Sequence, residues 1–359
     1  MKVLAIVPYL KDTAPGQRFR IEQWKPLLEK NGISISYASF EDNFLKAVLY
    51  QHGKVLEKAS LVVRAFGRRW ALLKEIKSYD LIYLYRAAAL IGPAWIERSI
   101  ANKGVPIVYD FDDAIFKLHT SLSNHLFGFL KFPGKTAEIC SLSKHVIVGN
   151  SYLENFVLQH NPNVTVIPTT IDTERHKVRS FPINARKLVI GWTGSHTTLP
   201  YLNVLRNVLP ELSRRCQFSF HVIGVSAYQI PAVQIISQPW RLESEIQDLH
   251  KFDIGVMPMP DDEWSRGKCG LKVLQYMALG IPAVCSPVGV NTEIVQDGQN
   301  GFLARDSSEW LEKLALLLND GNLRIRLGKA GRETVEKFYS AQVWMPKIKE
   351  IFESVAGKS

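Results

Sequence analysis

The sequence contains few cysteines and no long apolar run. Its four cysteines lie far apart, with no CxxC pair, which argues against a zinc site or a disulfide framework and suits a reducing compartment. No stretch approaches the ~18 apolar residues of a membrane span, so no transmembrane helix is predicted. At the N-terminus, only residues 3–10 precede the first charged and Pro-Gly positions. That run is too short for a signal peptide and predicts a first β-strand.

Acidic residues are outnumbered by basic ones, 34 against 44, which leaves a net charge of +10. A basic surface attracts nucleic acid, anionic lipid or phosphorylated substrates. The sequence has no zinc-finger spacing, no RNP-like aromatic strand and no basic repeat, so a nucleic-acid partner is not expected. With 359 residues, of which 46 % are hydrophobic, the chain is long enough for two globular domains.

Short apolar runs alternate with helical patterns along most of the chain, which predicts an α/β fold. In the first half, strands are predicted at residues 3–8, 34–38, 80–85, 105–110, 144–148 and 164–168. After a polar stretch at residues 172–184, the pattern restarts at residues 187–191, 218–223, 233–236, 254–258 and 283–285. We therefore expect two doubly wound parallel-sheet domains, at residues 1–172 and 173–339. A C-terminal helix within residues 340–359 is expected to cross back to the first domain.

The most informative segment is residues 266–303, RGKCGLKVLQYMALGIPAVCSPVGVNTEIVQDGQNGFL. A basic, glycine-containing turn precedes an apolar helix that we predict at residues 271–279. A helix N-terminus binds anions, and cations at that end are unfavourable unless an anion is present. Lys268 and Lys272 therefore indicate a phosphate-binding element. An ordinary α/β unit with two solvated lysines is the alternative, and these residues alone leave both open.

Several motifs of this segment share an order and spacing with a known family. They are Gly270-Leu271, VLQYMA at residues 273–278, GIPAV at residues 280–284, VNTEIV at residues 290–295 and NGFL at residues 300–303. This signature resembles that of GT-B glycosyltransferases of the retaining family 4 type, the group 1 enzymes. The resemblance covers the predicted second domain well and the first only in architecture and a few loops. It implies two Rossmann-like domains facing a cleft, with acceptor binding in the first and nucleotide-sugar binding in the second.

The chain departs from that family at two positions where its members carry glutamate. Gly267 and Gln275 occupy these positions, so the carboxylates that contact the donor sugar and the ribose in the family are missing. The family's arginine and lysine after the first strand of the second domain are also replaced, here by a small, hydroxyl-bearing loop. We expect Lys268 and Lys272 to supply the positive charge that this loop lacks, and Gln275 to hydrogen-bond a ribose hydroxyl.

Position at strand ends and the resemblance together predict three groups of site residues. The predicted catalytic residues are Lys268, Lys272, Asp110 and Asp112. The predicted donor-binding residues are Gly16, Arg18, Arg20, Thr193, Gly194, Ser195, His196, Arg266, Cys269, Gly270, Leu271, Gln275 and Glu293. The predicted acceptor-binding residues are Arg86, Asp113 and Asn150. No metal ligand or cofactor is expected, because GT-B enzymes resemble one another in stabilising the departing diphosphate without an essential metal.

The aspartates after the strand predicted at residues 105–110 have three interpretations. Asp110 and its neighbours bind the acceptor or act as a base; or Asp112 or Asp113 caps a helix that begins near Ala114; or the Asp-x-Asp pattern binds a metal. All three stay open on the sequence alone.

The predicted arginines and Asn150 also have structural alternatives. Arg18 or Arg20 can clamp a phosphate through two parallel hydrogen bonds, or pair with nearby glutamates such as Glu22 or Glu41. The same choice between function and structure stays open for Arg86. Asn150 has the residue type of a helix cap.

Three basic, apolar stretches lie in the first half, at residues 44–50, 61–70 and 126–132. Such stretches bind an anionic bilayer surface, or form amphipathic helices that pack on the sheet. Both interpretations stay open.

The resemblance implies transfer of a sugar from a nucleotide-sugar donor to a saccharide or lipid-linked acceptor. Retention of configuration and a pathway of surface polysaccharide or glycolipid synthesis are part of that expectation. The location expected is cytoplasmic, on the inner face of the plasma membrane if the basic stretches bind lipid. Two alternatives are an inactive nucleotide-sugar-binding partner protein, which the missing glutamates favour, and a GT-B-shaped nucleotide-sugar epimerase, against which they weigh.

Overall fold

The computed structural model describes residues 1–49, 51, 53–117, 132–178 and 187–358. They form two compact units, Met1–Pro168 with Trp344–Ser359, and Thr169–Val343. Parts of three predicted segments lie outside the described residues. These parts are residue 50 of the first basic stretch, residues 126–131 of the third, and residues 179–184 of the polar stretch.

The first unit, unit 1, contains a six-stranded parallel sheet with the order β2-β1-β3-β4-β5-β6. Its strands are β1 (Lys2–Val7), β2 (Ser34–Ser39), β3 (Leu81–Tyr85), β4 (Ile107–Phe111), β5 (His145–Val148) and β6 (Val164–Val166). All five residues of β3 and of β4 are buried. Continuous burial is expected where helices cover both faces of a parallel sheet, and it explains why these strands are apolar runs without alternation.

The helices of unit 1 connect these strands. They are α1 (Pro15–Gln17), α2 (Gln23–Lys30), α3 (Asn43–Leu49), α4 (Val55–Leu72), α5 (Trp95–Asn102), α6 (Lys135–Leu142) and α7 (Ser151–Val157). A π-helical turn at Arg18–Glu22 joins α1 to α2, and a 3-10 turn at Ile76–Ser78 precedes β3.

The second unit, unit 2, repeats this architecture with the strand order β12-β11-β10-β7-β8-β9. Its strands are β7 (Leu188–Thr193), β8 (Phe218–Ile223), β9 (Ile235–Gln238), β10 (Ile254–Met257), β11 (Ala283–Cys285) and β12 (Phe302–Leu303). In each sheet, the next strands along the chain are added on one side of the first strand. Later strands are then added on its other side. Ligands of such sheets bind at the carboxyl ends of the strands beside that reversal, which in unit 2 lies between β7 and β10.

The helices of unit 2 are short near β10 and β11 and longer towards the C-terminus. They are α8 (Val208–Arg215), α9 (Glu245–Leu249), α10 (Glu263–Arg266), α11 (Leu271–Ala278), α12 (Asn291–Ile294), α13 (Ser307–Asn319) and α14 (Gly321–Thr334). A 3-10 segment covers Leu199–Leu205, and a π-helical turn at Val335–Tyr339 follows α14.

The last helix, α15 (Ala341–Val355), begins in unit 2 and packs mainly in unit 1. Met345, Ile348 and Phe352 belong to the same buried cluster as residues of β1 and β3. The start of α15 is held in unit 2, since the Ala341 N–H donates to the Ile171 carbonyl at 2.9 Å.

The prediction of two doubly wound, Rossmann-like parallel sheets is confirmed. Strand ends differ from the predicted ones by a few residues, as for β7, which continues to Thr193. Within the ranges that the structure describes, no helix is both long and apolar enough to cross a membrane.

Candidate functional site

Three loops of unit 2 meet at the carboxyl ends of β7, β10 and β11. The Thr193 N–H, at the end of β7, donates to the Tyr276 hydroxyl of α11 at 3.1 Å. The Met259 N–H, just after β10, donates to Ser286 Oγ after β11 at 2.9 Å. These contacts bring together the loop predicted to bind the donor and the basic turn before α11.

The turn before α11 is built on a left-handed glycine. Gly270 is the N-cap of α11 with φ +68°, and a Cβ at this position would overlap the Cδ1 of Ile294. A glycine cap has no side chain to accept the first N–H groups of the helix. Those groups, and the positive end of the helix dipole, are therefore available to an anion.

Lys272 lies in the first turn of α11 beside the β7 loop. Its Nζ lies 4.6 Å from the centre of the Trp192 ring and 3.4 Å from Thr198 Oγ1. Burial, with a contribution from nearby Lys268, lowers the pKa of Lys272 to about 7. Within the described part of the chain, no carboxylate lies within salt-bridge distance of Lys272. A cation placed at a helix N-terminus without a carboxylate is unfavourable until an anion binds.

Lys268 lies one turn earlier, with its Nζ 4.9 Å from the centre of the Trp264 ring. Like-charge repulsion from Lys268 contributes to the lowered pKa of Lys272. The pair therefore provides a small region of positive potential at the start of α11.

The loop after β7 folds back on itself. The Ser195 N–H donates to Thr198 Oγ1 at 3.1 Å, and Ser195 Oγ lies 2.8 Å from Thr197 Oγ1. A Cβ at Gly194 would overlap the Trp192 ring, so this position accepts only glycine. Ser195 and His196 are exposed at the loop surface, where their side chains can contact a ligand.

The loop after β11 adds polar groups next to Gly270. The Asn291 side chain donates to the Ser286 carbonyl at 3.0 Å. Its Oδ1 is buried and has no donor within the described residues, and it lies 3.8 Å from the position of a Cβ on Gly270. A buried acceptor without a donor is costly unless a ligand supplies the hydrogen bond.

Gln275 faces a carboxylate that comes from another helix. Its Nε2 lies 3.5 Å from Glu245 Oε1, and the Trp240 indole N–H donates to the same oxygen at 3.0 Å. Gln275 and Glu245 are both buried. The surroundings of position 275 therefore contain one carboxylate, although position 275 itself is not a glutamate.

The other predicted donor residues of unit 2 lie around this site with differing exposure. Arg266 is exposed and pairs with Asp261 at 2.7 Å. Cys269 is buried, with its thiol directed at the Gly267 carbonyl at 3.8 Å. Leu271 is half-buried at the start of α11, and Glu293 is exposed on α12.

In unit 1 the structure revises the roles predicted for Arg20 and Asp110. Both side chains are fully buried and form a two-bonded ion pair, with N–O distances of 2.6 and 3.0 Å. Arg20 also donates to the Ile167 carbonyl at 2.6 Å, and the Tyr83 hydroxyl donates to Asp110. Neither group reaches the surface, so the pair stabilises the interior. The alternative partners of Arg20, Glu22 and Glu41, are not the ones it uses.

Arg86, Asp112 and Asp113 form one charged cluster after β3 and β4. The Arg86 guanidinium donates to Asp112 at 2.8 Å and also to Asp113. The Tyr85 hydroxyl donates to Asp112 at 2.6 Å. Although burial alone would raise the pKa of Asp112, Arg86 and Tyr85 hold it below its ordinary value. The Asp112 carboxylate therefore stays ionised, and its contacts with Arg86 and Tyr85 orient it.

The structure corrects the interpretation of Asp112 or Asp113 as a helix cap. It also places Gly16 beside the charged cluster. Residues 112–117 form turns, and no helix begins at Ala114 there. Gly16 lies against the cluster, because a Cβ on it would overlap the Tyr85 hydroxyl and Asp112.

Arg18 and Asn150 are both buried in unit 1. Arg18 is buried, with its guanidinium carbon 5.4 Å from the centre of the Phe19 ring. Asn150 caps α7, since its Oδ1 accepts the Leu153 N–H at 2.9 Å. The Asn150 side chain is therefore occupied by this cap, which its residue type already suggested.

The sequence did not predict four residues that the fold brings to this site: Glu245, Trp240, Thr198 and Asn291. Glu245 lies 30 positions before Gln275 in the chain, and no spacing rule relates them. Asn291 was inside a quoted motif, but only its burial and unsatisfied oxygen single it out. Across the described residues, no group of three or more His, Cys, Asp or Glu side chains is placed to hold a metal ion.

Comparison with known proteins agrees with this geometry. The family model described as Glycosyl transferases group 1 matches residues 187–320, the part of unit 2 that contains all three loops. Residues 187–320 are therefore similar to the group 1 glycosyl transferases. Sulfoquinovosyl transferase SQD2 of Arabidopsis thaliana is 32 % identical to this chain over 117 residues. That match covers 28 % of this chain and 22 % of the relative. The chain therefore matches about a fifth of the relative's length.

Solved structures of glycosyltransferases resemble the whole chain in fold. Sucrose-phosphate synthase from Thermosynechococcus elongatus has a TM-score of 0.72 at 14 % identity, with both chains covered completely. HepE from Anabaena, in complex with UDP and glucose, has a TM-score of 0.67 at 16 % identity and covers 99 % of this chain. The group 1 segment is therefore part of a GT-B fold.

Proposed function

We propose that this protein is a glycosyltransferase that takes a sugar from a nucleotide-sugar donor bound in unit 2. The observation that carries the proposal is Lys272, which lies at the N-terminus of α11 beside Lys268 and without a carboxylate partner in the described residues. A donor diphosphate supplies the anion that this arrangement lacks. The HepE structure, solved with UDP and glucose, supports this class of donor.

The proposed chemistry is cleavage of the bond between the anomeric carbon and the diphosphate oxygen. The electron pair of that bond goes to the departing diphosphate. Lys268, Lys272 and the first N–H groups of α11 stabilise the charge that develops there. We propose that retention of configuration and independence of a metal ion follow the family pattern. Retention is tested by assigning the anomeric configuration of the product by NMR.

The nucleoside is proposed to lie beside Gln275. The Gln275 amide contacts a ribose hydroxyl, and Glu245 orients that amide by accepting from its Nε2. Because Trp240 donates to the same Glu245 oxygen, the indole ring lies next to this subsite.

The acceptor is proposed to be a saccharide or a lipid-linked molecule of surface polysaccharide or glycolipid synthesis, bound by unit 1. The Arg86, Asp112 and Asp113 cluster at the ends of β3 and β4 provides oriented carboxylates for acceptor hydroxyls. We propose further that the protein works at an anionic membrane surface, where a lipid-linked acceptor is presented.

The decisive experiment measures release of nucleoside diphosphate from a panel of UDP-, GDP-, ADP- and TDP-sugars, with and without acceptor saccharides. Acceptor-dependent release supports the transferase. Donor binding without any release would instead support the inactive binding protein.

Lys272→Ala is expected to lower turnover at saturating donor by more than ~100-fold, the scale of losing one transition-state donor. Lys329→Ala is the matched control, because Lys329 is an exposed lysine on α14 of the same unit. Wild-type turnover in the Lys272→Ala variant would refute the role of this lysine.

A further inference from the structure

An apolar stripe runs along the outer surface of α4 and continues onto α3. Leu56, Val63 and Trp70 are 86, 70 and 47 % exposed, and Phe44 of α3 is 65 % exposed. The three α4 residues are seven positions apart, which places them in one line on a helix of 3.6 residues per turn. We call these four side chains the outer stripe.

The outer stripe is distinct from the surface by which α4 packs on unit 1. Ala65 is buried against Phe40 and Leu45, and Leu61 and Phe66 pack on the same cluster. That inner surface already anchors the helix to the fold. The exposed apolar side chains therefore add nothing to the core, and in water they cost solvation free energy.

Basic side chains are frequent in α3, in α4 and in the residues next to them. Residues 43–78 contain eight basic and two acidic side chains. Arg69 is buried and Arg68 pairs with Asp42, whereas Lys46, Arg64 and Lys74 are exposed. The Arg64 guanidinium carbon lies 5.8 Å from the centre of the Phe44 ring, so charge and apolar surface are contiguous.

We propose that the outer stripe of α3 and α4 docks unit 1 on an anionic lipid bilayer, an inference that deepens the membrane part of the proposed function. Leu56, Val63 and Phe44 enter the boundary between headgroups and acyl chains. Trp70 lies at headgroup level, where indole rings are favoured, and the cations contact lipid phosphates.

Charge decides between a bilayer and a second copy of this chain. A two-fold interface sets the same patch against itself. It would bring Lys46, Arg64 and Lys74 of two copies together, which like-charge repulsion disfavours. An anionic surface complements these cations instead.

The test is co-sedimentation of the full chain with phosphatidylcholine vesicles, with and without phosphatidylglycerol, at low and high salt. Wild-type protein is expected to bind only the anionic vesicles and to dissociate at high salt. The variant with Leu56→Ser and Val63→Ser is expected to lose about tenfold or more in partition coefficient, because two apolar side chains no longer enter the bilayer.

The matched control is Ile325→Ser, since Ile325 is 59 % exposed on α14 of unit 2; its binding is expected to equal that of wild type. Full binding by the double variant, equal binding to both vesicle types, or no wild-type binding would overturn the proposal. Self-association of wild type without vesicles, lost in the double variant, would overturn it in favour of an interface between copies.

Turnover on a water-soluble acceptor, measured without vesicles, separates this inference from the proposed function. The double variant should keep wild-type turnover in that assay. Conversely, Lys272→Ala should lose turnover while its vesicle binding stays at the wild-type level.

Discussion

Lys272 links the proposed donor binding to an expected pH dependence. Burial and Lys268 together lower the pKa of Lys272 to about 7. The ammonium form is therefore only partly populated near neutrality, although it is the form that a diphosphate needs. A bound diphosphate stabilises this form and raises the pKa of Lys272.

We expect donor affinity to fall as the pH rises above about 7. Below that pH, Lys272 is charged in the free protein and affinity is constant. Above it, binding must first take up a proton, so the dissociation constant of a nucleotide sugar, whose diphosphate does not titrate in this range, rises by up to tenfold per pH unit. Isothermal titration between pH 6 and 9 measures this change.

The control for that titration is Lys272→Arg, because arginine stays protonated throughout this range. Its dissociation constant should change much less with pH. A wild-type affinity that is constant across the range, or that increases with pH, would contradict the assignment.

The buried Arg20–Asp110 ion pair is the second feature that single residues explain. Removal of one partner leaves a charge buried without compensation, which typically costs about 3–5 kcal/mol. Arg20→Met is therefore expected to lower the free energy of unfolding of unit 1 by about this amount in urea titrations.

The variant with both Arg20→Met and Asp110→Asn should recover part of that loss, because no charge then remains buried. If the single and double variants were equally stable, the pair would not be the source of the stability. Donor affinity should be unchanged in the double variant, since both groups lie away from the surface.

At the scale of elements, the turn and helix of residues 267–278 form the centre of the proposed donor site. Gly270 provides a left-handed cap at the start of α11, and Tyr276 ties the helix to β7. The lysines are effective only because this turn fixes their positions.

Gly270→Ala is expected to destabilise unit 2 and to weaken donor binding. The left-handed conformation costs an alanine about 1–2 kcal/mol, and the overlap of its Cβ with Ile294 adds to this. Gly298→Ala is the matched control, because Gly298 has φ +74° while its Cβ would be 3.9 Å from Phe302. Thermal unfolding of both variants separates the two costs. Equal losses would show that the Ile294 contact is irrelevant.

At the scale of the whole molecule, α15 is shared by the two units. Its first residues pair with residue 171 of unit 2, and Met345, Ile348 and Phe352 complete a core of unit 1. The Phe352 ring centre lies 5.8 Å from that of Tyr83. The core of unit 1 therefore depends on the last residues of the chain.

Phe352→Ala is expected to destabilise unit 1 by about 3–5 kcal/mol, the usual cost of removing a buried phenylalanine side chain. Val343→Ala on the same helix is the control, since Val343 is exposed and its loss should change stability by less than ~0.5 kcal/mol. Calorimetry resolves the transition of unit 1. An unchanged transition in the Phe352→Ala variant would mean that α15 does not stabilise this core.

The sequence by itself determined the two parallel sheets and the glycine turn before α11, because both follow from residues that lie close together in the chain. Apolar runs separated by helical patterns are sufficient to predict strands such as β3, and Gly270 with Lys272 lies within a few residues of α11. Helix capping by Asn150 is equally local and was visible as an alternative.

Only the tertiary structure decided which polar residues meet. Arg20 and Asp110 are 90 positions apart, and Glu245 is 30 positions from Gln275. Their pairing follows from the order of the strands in each parallel sheet. A short spacing in the sequence does not encode that order. A buried ion pair and a ligand site use the same residue types, and burial alone distinguishes them.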